Sequence, residues 1–209
     1  MSIVIGLKHE GKVYLASDSQ ITIEGERKYI NKGTNGKLWH PQECVDIVMG
    51  SVGWVRERNI IQTATTLFDE MYHTKQGPLG YDYLIRTMIP SMFEELGKHR
   101  ALKEGKDNQK LINDYLVGIK DKLYTIGSDA SLIEIDHFWA IGTGSAEAIN
   151  YLKSITIEDP TQALLDTIKA VKRHSIYIDY PVHITDTETK KIDVMSVDKT
   201  EEASCCGRG

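Results

Sequence analysis

The sequence predicts an α+β fold: a four-layer αββα sandwich of two antiparallel sheets packed face to face, each covered on its outside by a pair of helices. Three observations predict it. Short apolar runs are joined by hairpin-length turns. The apolar period shifts twice to about 3.6 residues, each time over a pair of segments. The resulting order is strands, two helices, strands, two helices, strands. Sheets built from hairpins need their apolar faces covered, and helices grouped in pairs supply that cover.

Residues 3–7 (IVIGL) and 12–17 (KVYLAS) flank His9-Glu10-Gly11, an antiparallel hairpin with glycine in the turn. The polar stretch 20–40, with three glycines and many charges, predicts irregular strands and turns. A strand follows from Cys44 and stops at Gly50-Ser51-Val52-Gly53. From Trp54 a helix sets Ile60, Ile61, Ala64, Leu67, Phe68 and Met71 on one face. A second helix over 81–98 carries Leu84, Ile85, Met88, Met92, Phe93 and Leu96, with a kink expected at Pro90. Residues 104–113 read as a surface loop. Strands resume with LVGIK, LYTIG, SLIEI and FWAIG, and two helices follow over 145–155 and 160–173. The latter has Asp159 as N-cap, Pro160 at its first position and Gln162 three residues after the cap. VHIT and KIDVMSV close the fold as strands. Residues 1–198 are expected to form a single domain and 199–209 a flexible tail.

At 209 residues the chain can bury a core without metal or disulfide staples. A formal net charge of −5 argues against nucleic acid and anionic membrane as partners. No apolar run approaches the roughly 18 residues that span a bilayer. The start of the chain lacks a basic-then-apolar signal pattern. Of three cysteines, Cys205 and Cys206 are neighbours and Cys44 stands alone, which does not make a framework of disulfides. These features suit a cytoplasmic protein. The seven histidines show no ligand spacing for zinc. Gly33 to Lys37 does not have phosphate-loop spacing, and no cofactor is expected.

The chemistry starts at Met1-Ser2. Removing a methionine that precedes a small residue leaves Ser2 with a free α-amine and a hydroxyl. An amine with an ordinary pKa of about 7.7–8.0 can take the hydroxyl proton at neutral pH without a histidine. The second strand ends at Ala16-Ser17-Asp18-Ser19-Gln20, and a hairpin partner's end lies beside the start of the first strand. Asp18 is therefore expected near that amine. Paired with a lysine, it would hold a cation there and lower the amine's pKa. Lys37 is the candidate, with Lys32 as the competing choice.

Taken together, GKVYLASDSQIT at 11–22, NKGTNGKLW at 31–39, MGSVGW at 49–54, FWAIGTGSAEAI at 138–149 and SIYIDYPVHI at 175–184 resemble the proteasome β-subunit family of N-terminal-nucleophile hydrolases. The last stretch resembles its bacterial HslV branch. The landmarks run from residue 1 to about 186. The resemblance implies Ser2 as nucleophile with its α-amine as general base, Lys37 as the active-site lysine and Asp18 as its carboxylate. It implies that Gly50 lends an N–H to the oxyanion and that Thr143 stands where the family often has an auxiliary serine. Ser51, Val52 and Gln20 are the candidate substrate-binding residues, with Val52 a wall favouring a modest apolar side chain.

The implied activity is a threonine-type endopeptidase that here uses serine. Its substrates would be peptides or unfolded proteins. The chain would assemble into homo-oligomeric rings of six or seven subunits, single or stacked, and fed by an ATPase unfoldase. The chain departs from the family in two respects. Serine lacks the methyl that fixes threonine's rotamer, and His174 and Tyr177 stand where the proteasome has a supporting aspartate and serine. The alternatives are a stand-alone amidase or peptide ligase, and an inactive structural paralogue that keeps Met1.

Overall fold

The computed structural model describes residues 2–23, 27–30, 36–41, 47–64, 80–105, 108–189 and 191–196. The first sheet runs in the order β12-β1-β2-β13-β14 and the second β11-β10-β9-β6-β5, with every pairing antiparallel. In the first sheet β1 is Ile3–His9, β2 Lys12–Ser17, β12 Phe138–Gly142, β13 Val182–Asp186 and β14 Asp193–Met195. In the second, β5 is Leu38–Trp39, β6 Ile47–Val52, β9 Asp114–Ile119, β10 Lys122–Ile126 and β11 Leu132–Ile135. A separate ribbon pairs β3 (Gln20–Ile23) with β4 (Arg27–Ile30).

Three apolar layers give the four-layer sandwich. Between the sheets lie Val4, Val13, Leu15, Leu38, Val48, Leu116 and Leu123. Ile3, Ile5 and Leu7 face the other way, onto the first sheet's helices α4 (Ser145–Ser154) and α5 (Pro160–Lys172). Period-two alternation in β1 thus feeds two cores at once, which is why IVIGL has no polar face. The third layer packs Trp39, Met49, Tyr115 and Val117 against α1 (Val55–Thr63) and α3 (Ile89–Lys98).

The turn joining β1 to β2 has Glu10 at φ 48° and Gly11 at φ 77°, both left-handed, as a tight hairpin requires. Asp159 caps α5 by accepting from Thr161 N (2.8 Å) and Gln162 N (3.1 Å), worth about 1 kcal/mol.

Four expectations change. The helix expected over 81–98 is divided: Tyr81–Tyr83 (α2), a π-helical turn Leu84–Met88, then α3. Ile89 N–H reaches back to Leu84 O in that turn, directly before Pro90. Proline has no N–H to donate and its ring crowds the carbonyl four residues earlier, so the distortion precedes it. The 104–113 loop contains a small hairpin, β7 (Lys103–Glu104) with β8 (Gln109–Lys110), whose two-residue strands are too short to show periodicity. The last strand is shorter than KIDVMSV. The first helix ends at Thr63, and Ala64, expected on its apolar face, is extended (φ −75°, ψ 90°). The positions expected beyond it (Leu67, Phe68, Met71), Lys32, the three cysteines and the tail lie outside the described residues.

Candidate active site

The site forms where β1 begins, because three chain segments end or turn there. β12 pairs Gly142 with Ile3, β2 ends one residue before Asp18, and β5 starts one residue after Lys37. Asp18 is fully buried and Lys37 is 2% exposed. Asp18 Oδ1 accepts the N–H of Ile3 at 2.9 Å and lies 2.6 Å from Lys37 Nζ. Its other oxygen accepts Gln20 N–H at 3.0 Å, and Lys37 Nζ also donates to Gln20 O at 2.8 Å. The N–H of Ile3 belongs to the peptide that leaves Ser2. One carboxylate therefore clamps both the backbone of the expected nucleophile and the expected lysine.

Ser2, half-buried, is held from its other side: Thr143 N–H donates to Ser2 O at 2.8 Å. Gly142 next to it has φ +91°, and a Cβ there would overlap the Ser2 carbonyl and stand 3.0 Å from Val52 Cγ1. Only glycine meets both demands. Ser51 N–H donates to Lys37 O at 3.0 Å. Gly50 lies in β6 between Leu38 on β5 and Leu116 on β9. A Cβ on Gly50 would come within 2.7 Å of Val4 Cγ1, so the backbone there packs directly under β1. Gln20 donates its Nε2 to Thr22 Oγ1 and Ile176 O, each at 3.1 Å. The structure thus gathers Asp18, Lys37, Gln20, Ser51 and Thr143 in one bonded network around the backbone of Ser2 and Ile3. Val52 sits against Gly142, and Gly50 contributes close packing.

Burial pulls the Lys37 ammonium below the usual lysine range against the attraction and hydrogen bond of Asp18, and Arg58 pushes it down further. Taking an ammonium out of water favours its neutral form, and a second nearby cation does the same.

Sequence reasoning missed three buried groups. Arg58 on α1 is 4% exposed and its Nε is among the buried polar atoms without a partner, as are Ser17 Oγ, Ser51 Oγ and Gln20 Oε1. His183 is 2% exposed on β13, directly across from Ser17. Burial, then Lys37, holds its imidazole below the usual range, with Asp18 opposing. Fully buried Glu57 accepts from Ile112 N (2.7 Å), Asn113 N (3.2 Å) and Tyr115 Oη (2.7 Å). Asn113 in turn bonds both backbone groups of Trp54, which fixes the chain just past Val52. The pattern offered one signal: His183 occupies what looks like the polar slot of VHIT.

Among the described residues no cluster of His, Cys, Asp or Glu could hold a metal, and no helix is long and apolar enough to cross a membrane.

No protein-family model matches the sequence, and no curated protein does. Solved structures do match the fold. BPH of Thiobacillus denitrificans in complex with epoxomicin has a TM-score of 0.67 at 14% identity, over 88% of this chain and 97% of that one. HslV of Trypanosoma brucei has a TM-score of 0.64 at 13% identity, over 88% and 98%. Anbu, the ancestral beta-subunit, from Yersinia bercovieri has a TM-score of 0.68 at 15% identity, over 97% and 90%. At such identities the likeness is one of fold. With two antiparallel sheets, a helical layer outside each and these neighbours, the chain has the fold of the proteasome-like N-terminal-nucleophile hydrolases.

Proposed function

We propose that this chain is a peptidase whose nucleophile is Ser2, exposed by removal of Met1. The observation that carries the reading is the Asp18 carboxylate shared by the Ile3 N–H and the Lys37 ammonium. It sets a buried cation next to the residue whose amine must stay neutral to act as a base.

The α-amine of Ser2 takes the Oγ proton as Oγ attacks the substrate carbonyl. The resulting tetrahedral oxyanion is met by the Gly50 N–H, a role that requires this amide to face substrate rather than its β9 neighbour Leu116. The protonated amine then gives its proton to the leaving nitrogen, the C–N bond breaks, and an ester remains on Ser2. Water, deprotonated by the same amine, attacks the ester, releases the carboxylate product and restores Oγ–H. Lys37 keeps the local potential positive, Asp18 fixes Lys37, and Thr143 holds Ser2 in register. Val52, with Ser51 and Gln20, borders the pocket for the acyl-side residue.

The resemblance extends the proposal to a cytoplasmic, homo-oligomeric ring of six or seven copies fed by an ATPase unfoldase. Each copy would contribute residues 1–198, less the removed Met1, as a single domain. Enclosure in a ring makes an unselective nucleophile safe by restricting access. Ser2→Ala tests the chemistry: it should abolish hydrolysis of a fluorogenic peptide while leaving the unfolding transition in place. Full activity in that variant rejects the assignment.

A further inference from the structure

A cavity of about 320 Å³ adjoins the candidate site, sharing Thr143 with it, and its lining includes His174 and Tyr177, to which the chemistry above gives no role. Thr143, Gly144 and Glu147 form one wall at the β12–α4 junction, and Val171, His174 and Tyr177 form the other where α5 ends. Both walls are tied to the site. Thr143 N–H donates to Ser2 O, and the carbonyl of Ile176, also in the lining, accepts from Gln20 Nε2. Val52 belongs to the apolar layer between the sheets. The cavity is built instead where the outer helices α4 and α5 meet the end of β12, the strand paired with β1, so its walls are not those of the Val52 layer.

We propose that this cavity receives the side chain on the leaving-group side of the scissile bond and that Glu147 makes it prefer a cationic one. The proposal rests on Ser2 as nucleophile with the acyl side toward Val52: the substrate chain must then leave the reacting carbon in the other direction. The cavity is at the small end for ligand pockets, suited to one long side chain rather than a peptide segment. A lysine or arginine stem would lie along Val171 and Ile176 and carry its charge to Glu147. Glu147 is the one carboxylate of the lining, neither lysine nor arginine shares it, and Glu147 has no ion pair among the described residues. The ammonium of Lys172, further along α5, stands 3.7 Å from Asp179 and over the Tyr180 ring.

The test uses the full chain and peptides that differ only in the residue after the cleaved bond. Lysine there should give about fivefold higher kcat/KM than glutamate, the size expected of a solvent-accessible ion pair. The preference should shrink at high salt, vanish in Glu147→Gln and reverse in Glu147→Lys. An unchanged preference in Glu147→Lys, or none in the natural chain, overturns the proposal. Binding of lysine-led and glutamate-led product peptides to Ser2→Ala reads the cavity without catalysis. Acylation of Ser2 by an electrophile, with no discrimination in either assay, overturns the cavity assignment alone. Discrimination in binding with no acylation overturns the nucleophile reading and, with it, the leaving-side label.

Discussion

Lys37 Nζ stands 2.6 Å from Asp18 Oδ1, the oxygen that also takes the N–H of the peptide leaving Ser2. Two groups 19 positions apart in sequence thereby become one buried unit at the N-terminal edge of a sheet. Removing the ammonium leaves Asp18 charged and unmatched in a site closed to solvent. Lys37→Ala should cost about 3–5 kcal/mol of stability and lower kcat/KM by about a hundredfold or more, the range for losing one preorganised charge. Chemical denaturation and peptide hydrolysis on the same preparation check both effects. A variant with near-natural rate would point to another lysine, Lys32 foremost.

Gly142 supplies a second prediction. Its φ of +91° and the absence of a side chain let β12 pass directly beside the Ser2 carbonyl. Gly142→Ala adds a methyl where that oxygen stands, in a backbone region that costs about 1–3 kcal/mol for other residues. The relief available is to push Ser2 away from Thr143 and Asp18. Acylation should therefore fall much more steeply than stability, measured as inactivation rate by a peptide vinyl sulfone against the denaturation midpoint. Parallel small losses would separate the position of Ser2 from the reaction.

The hairpin, the capped helix α5 and the position of Asp18 were readable from sequence because each is announced locally: glycine in a tight turn, Asp159 before Pro160, a carboxylate just past a strand's end. Arg58, Glu57 and His183 were not. Arg58 and His183 gain their meaning from charges far along the chain, and Glu57 from its bonds to Ile112, Asn113 and Tyr115. In VHIT the histidine takes a slot that alternation marks as polar and open. That inference fails in a strand covered on both faces, where His183 is 2% exposed. The π-helical turn before Pro90 and the β7–β8 hairpin escaped because neither changes the apolar period over enough residues.

Buried His183 gives the fold a pH dependence with a definite sign. In the unfolded chain its imidazole titrates near 6.5, whereas in the fold burial and the Lys37 charge hold it lower, with Asp18 opposing. Between those two values the unfolded chain binds a proton that the folded chain does not, so stability falls as pH drops below about 6.5 and is flat above it from this group. His183→Gln should flatten that segment of the curve. Urea midpoints from pH 5 to 7.5 for both proteins provide the check, and parallel curves would remove His183 as the source.

Assembly is tested by light scattering of the purified chain at micromolar concentration. A mass of six, seven, or twice that number of subunits is expected. A persistent monomer contradicts the ring and leaves a stand-alone amidase as the reading on the same fold.

The most direct test of the central claim is the intact mass of the purified chain, with peptide mapping, before and after exposure to a peptide epoxyketone. A chain that has lost Met1 and gains one inhibitor, bound through both the amine and the hydroxyl of Ser2, is expected. A chain that retains Met1 and stays unmodified, or an adduct on any other residue, contradicts that claim.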